Sequence, residues 1–114
     1  MLVLCAEEYQ PPSSDFPGVH VIRARLDDAV PSKREIAEAL VAADYVRRNM
    51  EIGRVCLVTC AMGLNRSGLV SGLAMRMAGY DGPTAVRAVK SARGEYALSN
   101  EHFRKLVERW RPGR

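Results

Sequence analysis

No stretch of this chain is apolar for long enough to cross a membrane. The opening residues MLVLCA carry neither a basic leader nor a small-residue cleavage site, so they read as a strand rather than a signal peptide. Cysteine is scarce and odd in number: Cys5, Cys56 and Cys60, with no metal-type spacing. That excludes a disulfide framework and points to a reducing, cytoplasmic setting. The only histidines, His20 and His102, stand far apart, and no ligand cluster for a metal is present. Repeats, low-complexity tracts and linkers are missing as well, which leaves residues 1–114 as one domain. A chain of 114 residues, 47% of them apolar, can build a single small core. Its formal charge of +4 and pI near 9.3 suit anionic substrates.

Along the chain, strands alternate with helices, and helices alone follow. Leu2–Cys5 and Val19–Ala24 are short β-type runs separated by the turn-rich QPPSSDFPG. Ser32 and Glu35 form a capping-box signature. Ile36, Leu40, Ala43, Val46 and Met50 then recur at helical spacing until Gly53 closes the segment. The run 54–59 is nearly all apolar and predicts the central strand, buried on both faces. A helix from about Arg66 to Gly79 turns Leu69, Val70, Leu73, Ala74 and Met77 to one side. Pro83 fits the first turn of a third helix reaching about Arg93, with Ala85, Val86 and Val89 inward. Ser99 or Asn100 caps a last helix whose inner face is Phe103, Leu106, Val107 and Trp110. The expected fold is α/β, a small and mainly parallel sheet with helices packed on its faces.

Between the third strand and its helix lies Thr59-Cys60-Ala61-Met62-Gly63-Leu64-Asn65-Arg66-Ser67-Gly68. A sharp turn here lets the backbone N–H groups of Ala61, Met62, Gly63, Leu64, Asn65 and Arg66 converge on one anion. The helix beginning near Arg66 adds its own N–H groups and the positive end of its dipole. Both favour thiolate over thiol at Cys60. Arg66 offers a planar fork able to grip two phosphoryl oxygens at once. A thiolate attacking phosphorus still needs an acid at the leaving oxygen, worth about two to four powers of ten in rate. Asp27 and Asp28, in the loop after the second strand, are the natural candidates.

Cys-x5-Arg-Ser, with a glycine third after the cysteine, resembles the signature of the protein tyrosine phosphatase superfamily, and more narrowly its dual-specificity branch. The resemblance covers about residues 2–110 and is strongest from Arg54 to Gly79. It implies a cofactor-free, metal-free hydrolase that forms a phosphocysteine at Cys60, with Asp28 rather than Asp27 on the acid position. Ser67 would assist the departing sulfur. Asn100 sits where the family often has a Pro-Asn pair. The order of acid before cysteine differs from low-molecular-weight tyrosine phosphatases and related arsenate reductases, and rhodanese-like sulfurtransferases generally lack the Arg-Ser-Gly helix start.

Substrates implied are phosphotyrosine with phosphoserine and phosphothreonine, since no inserted recognition loop deepens the pocket. Alternatives on the same fold are RNA 5′-triphosphate, because Asn65-Arg66-Ser67-Gly68 is similar to the loop of such enzymes, and phosphoinositides. A module that binds phospho-ligands with little turnover is a further alternative. Nucleic acid is not the favoured partner: Arg87, Lys90, Arg93, Arg104, Lys105, Arg109 and Arg111 have the spacing of a solvated helix face. The chain departs from the family at Thr59, where histidine is usual, so a somewhat higher thiol pKa is expected. LCAEEY is similar to a strand end in the lipid-phosphatase branch, which makes Cys5 a possible redox partner of Cys60, while a buried core thiol is the alternative. Nothing in the sequence assigns an oligomeric state.

Overall fold

Leu2–Ala6, all apolar and all buried, forms β1 and is the middle strand of a three-stranded sheet ordered β2-β1-β3. Val21–Leu26 (β2) pairs with it in parallel on one side, from Leu2↔Val21 onward, with a register shift between Leu4 and Ala6. Leu57–Thr59 (β3) pairs in parallel on the other side, Leu2↔Leu57 to Leu4↔Thr59. This computed structural model describes residues 1–62 and 64–113. The expected central strand is therefore an edge strand, and a short one. Val55 and Leu57 are exposed while Val58 is buried, so the run has one packed face. Continuous apolarity marks β1 and the run before Cys60 alike, and it is pairing on both edges that makes β1 the centre.

Ser32 starts α1 (Lys33–Glu51) with both halves of the capping box: its hydroxyl accepts from Glu35 N–H at 3.2 Å, and Glu35 Oε1 accepts from Ser32 N–H at 3.1 Å. The inward stripe of α1 is Ala39, Ala42, Ala43 and Val46, while Met50 lies exposed. Small residues let α1 lie close beside α2 (Arg66–Met77), and both cover the sheet face that carries Val3, Cys5, Ala24, Leu26 and Val58. The helices thus gather on one face of the sheet rather than on both. Next, α3 (Gly82–Arg93) and α4 (Glu101–Arg109) pack on the far side of α2.

Clamped from two sides, α2 buries Leu69, Val70, Leu73 and Ala74 together with Arg66, Ser67, Gly68 and Gly72. A Cβ at Gly72 would stand 2.8 Å from Val107 Cγ2, so this glycine sets how near α4 can lie. Asp81 caps α3 through Thr84 N–H at 2.7 Å, and Asn100 caps α4 through the N–H groups of His102 and Phe103. Gly53 and Gly79 follow α1 and α2 at φ +79° and +106°. Among the described residues no helix is long and apolar enough to cross a membrane. Because all three strands run in one direction, the residues after β1, β2 and β3 leave the sheet at the same edge. In parallel sheets that edge is where loops meet to form sites.

Candidate active site

Cys60 follows β3 at that edge, directly in front of α2. The backbone N–H of Ser67, in the first turn of α2, donates to Cys60 Sγ at 3.4 Å, and Ser67 Oγ stands 3.4 Å from the same sulfur. Asn65 occupies the N-cap position, yet its side chain makes no cap bond. The first-turn amides, with the positive end of the helix dipole, are thereby left to the sulfur and its surroundings. The N–H groups of Ala61, Met62, Leu64, Asn65 and Arg66 find no acceptor among the described residues. Ala61 and Met62 are exposed and Leu64 is half-buried; Gly63 lies outside the described residues.

Arg66 is buried, with 7% of its surface exposed, and it is held by two neighbours. Its Nη1 donates to Glu8 Oε1 and to the Leu26 carbonyl (3.2 Å), while Nη2 donates to Glu8 Oε2 at 3.0 Å. Of five guanidinium hydrogens, three are thus engaged on the Nη1 side and at the end of the fork. The Nε–H and the second Nη2 hydrogen make up the remaining edge, which has no partner among the described residues. Arg66 is held above its ordinary pKa: hydrogen bonding to Glu8 is the main cause, burial opposes it, and the charges of Glu8, Cys60 and Asp28 add to it. The negative charges of Cys60 and Asp28 therefore both act on the guanidinium. Glu8 is correspondingly held below the usual carboxylate range by its bonds to Arg66.

Asp28 and Asp27 separate cleanly. Asp28 accepts from Asn65 Nδ2 on one oxygen at 3.0 Å and from Asn100 Nδ2 on the other at 2.8 Å. Asn65 Oδ1 in turn accepts from Asn100 N–H at 2.9 Å, so the Cys60 loop, the β2 loop and the cap of α4 are joined through three side chains. Asp27 instead accepts from the Asp28 backbone N–H at 3.0 Å and serves as a turn former. Glu35 fastens this loop from behind. Its Oε2 accepts from Asp27 N–H at 2.9 Å, the leading cause of its lowered pKa.

Cys5 is fully buried and shares no disulfide; burial first, and then the nearby Cys60, push its thiol up to about 12, with Arg66 pulling the other way. Thr59 pairs with Leu4 at the strand end. Among the basic residues, Arg104 and Lys105 pair with Glu108 and Glu101, and Lys90 Nζ donates to the carbonyls of Glu95 and Ala97.

Sequence reading missed Glu8 and the linking roles of Asn65, Asn100 and Glu35. For Glu8 a signal existed, since an acidic pair follows an apolar strand whose end faces the loop of interest. The side-chain bonds of Asn65 and Glu35 carry no local signature, because their partners lie in other loops. Compared with models of known protein families and with curated proteins, the chain matches none of either.

Proposed function

We propose that this protein hydrolyses phosphate monoesters through a phosphocysteine, in the manner of a dual-specificity phosphatase. The observation that carries the reading is Arg66: its guanidinium is held at one end by Glu8 with one bidentate edge open among the described residues, and the N–H of the adjoining Ser67 donates to Cys60 Sγ at 3.4 Å. In the first half-reaction the Cys60 thiolate attacks phosphorus and the bond to the leaving oxygen breaks. Asp28, protonated at that moment, gives its proton to that oxygen. The Nε/Nη2 edge of Arg66 and the free amides of the loop hold the transferring phosphoryl oxygens. In the second half-reaction water attacks phosphorus, the Asp28 carboxylate takes its proton, and the S–P bond breaks. The Ser67 hydroxyl, 3.4 Å from Cys60 Sγ, donates to the departing thiolate. Phosphotyrosine and phosphoserine or phosphothreonine are both substrates on this reading.

The test is release of p-nitrophenol from p-nitrophenyl phosphate, with acid quenching to trap phosphate on Cys60. Cys60→Ser abolishes turnover and trapping, and chelation by EDTA leaves the wild-type rate unchanged. Asp28→Asn slows alkyl phosphates, whose leaving oxygens are basic, more than p-nitrophenyl phosphate. Turnover surviving in Cys60→Ser would remove the covalent mechanism.

A further inference from the structure

Helices α1 and α4 both lie on α2 without packing closely on each other, and a cavity of about 490 Å³ fills the gap. Its floor is the buried Ala39, Leu69 and Leu73. Leu40, Leu106 and Trp110, only partly covered, form its walls. His102, Lys105, Arg109 and Arg111 stand around it, and no acidic side chain lines it. Lys105 is paired with Glu101 at 2.9 Å, whereas Arg109 and Arg111 have no carboxylate partner among the described residues. The cavity is not isolated. Val30 and His102 belong both to it and to a second depression, which Asp28, Asn65 and Asn100 also line.

We infer that this cavity receives the alcohol part of the substrate, and that the substrate is an anionic single-chain amphiphile: a phosphate monoester of a long-chain alkyl alcohol. The inference rests on the phosphatase reading above. An acid must reach the leaving oxygen, so the alcohol continues past the Asp28 carboxylate. Past it come Ala29 and Val30, the latter 68% exposed, and then the apolar space between α1 and α4. The path along α4 from Asn100 to Trp110 is about 15 Å at 1.5 Å per residue, the length of a chain rather than of a ring. The cations favour a ligand that is anionic overall and disfavour a cationic one. A peptide fits less well, because its amides would need partners. Apart from the cationic side chains and the imidazole, the only hydrogen-bonding side-chain group among the described lining residues is the indole N–H.

The experiment compares butyl, hexyl, octyl and decyl phosphate, each below its micelle concentration, with phenyl phosphate as a reference too short to fill the cavity. The leaving oxygen is chemically the same along the alkyl series, so kcat stays level and KM falls. The fall is about three- to fourfold for each added methylene until the cavity is full. Leu106→Gln and Leu40→Gln flatten that dependence while keeping phenyl phosphate turnover, which also shows that they fold. Trp110 is the only tryptophan, so its fluorescence in the Cys60→Ser variant reports chain binding without turnover. Decyl phosphate shifts it saturably, butyl phosphate weakly, and decyltrimethylammonium not at all.

A KM indifferent to chain length, alongside good phenyl phosphate turnover, overturns the inference and spares the phosphatase reading. If no phosphate ester is hydrolysed, that reading fails, and the Trp110 titration alone decides whether the cavity takes anionic chains. An acidic phosphopeptide that saturates the Trp110 signal where decyl phosphate does not also overturns it, in favour of a peptide occupant.

Discussion

Glu8 shows how a side chain remote in sequence decides what another can do. An arginine fork has two edges suited to a bidentate acceptor, and a carboxylate on the wrong one would block a phosphate. Here Glu8 takes the Nη1/Nη2 end and Leu26 the outer Nη1 hydrogen, so the guanidinium is oriented and one edge is kept open. Glu8→Gln replaces one acceptor by a donor that faces Nη1 or Nη2. Orthophosphate inhibition and kcat/KM for p-nitrophenyl phosphate should both weaken, by roughly tenfold to a hundredfold, the scale of a misplaced positioning group. Higher activity in this variant would mean that Glu8 competes with substrate instead of presenting Arg66 to it. Since the Glu8 carboxyl is held below its ordinary 4.5, the pair is intact above that value and is lost as pH falls through the lower folded value. The defect of Glu8→Gln should therefore be the same at every pH above about 5.

Elements here are spaced by residues that lack bulk. Gly72 of α2 faces Val107 of α4 at a distance that a real Cβ does not tolerate, and a Cβ at Gly82 of α3 would stand 2.9 Å from the Cα and the carbonyl oxygen of Glu108. Gly72→Ala should destabilise by about 1–3 kcal/mol, as overpacking does. Adding Val107→Ala should recover part of that loss, because the clash is with a side chain. Chemical denaturation of the two single variants and the double variant measures the coupling, and plain additivity would show that the helices simply move apart. The same elements show what the sequence made legible. Helix ends were readable, since Ser32, Asn100, Gly53 and Gly79 act through their immediate neighbours. The α1 stripe was legible only in part: Ala43 and Val46 are buried as their spacing predicts, but Ala39 and Ala42 carry the rest of the packed face and Met50 lies exposed. The centre of the sheet was not legible, as the order of parallel strands depends on crossovers that no local pattern encodes. The site follows the same division: Cys60, Arg66 and Ser67 lie within one short stretch of chain, whereas Glu8, Asn65 and Asn100 act through partners remote in sequence.

At the scale of the whole molecule, the sheet and the site share one buried group. Cys5 is the last residue but one of β1, with its thiol pushed up to about 12 from an ordinary 9.0, chiefly by burial. A raised folded value means that the neutral thiol's contribution is fully present below about pH 9 and is lost as pH rises towards 12. Global stability should therefore drop by on the order of 1.4 kcal/mol per pH unit across that interval. Cys5→Ala should lack this component of the alkaline loss; identical pH profiles for the two proteins would place the alkaline sensitivity elsewhere. The position of β1 also has a consequence in time. Its partners are Val21 on one edge and Leu57 on the other, so no strand pair is a hairpin, and each must close a long loop before any ladder bond forms. Helices form far sooner than such pairs. While the chain is partly folded, LVLCA is an extended apolar segment with both edges open, and other copies compete with β2 and β3 to cover it. The strand most protected in the finished protein is the one most liable to associate wrongly on the way there.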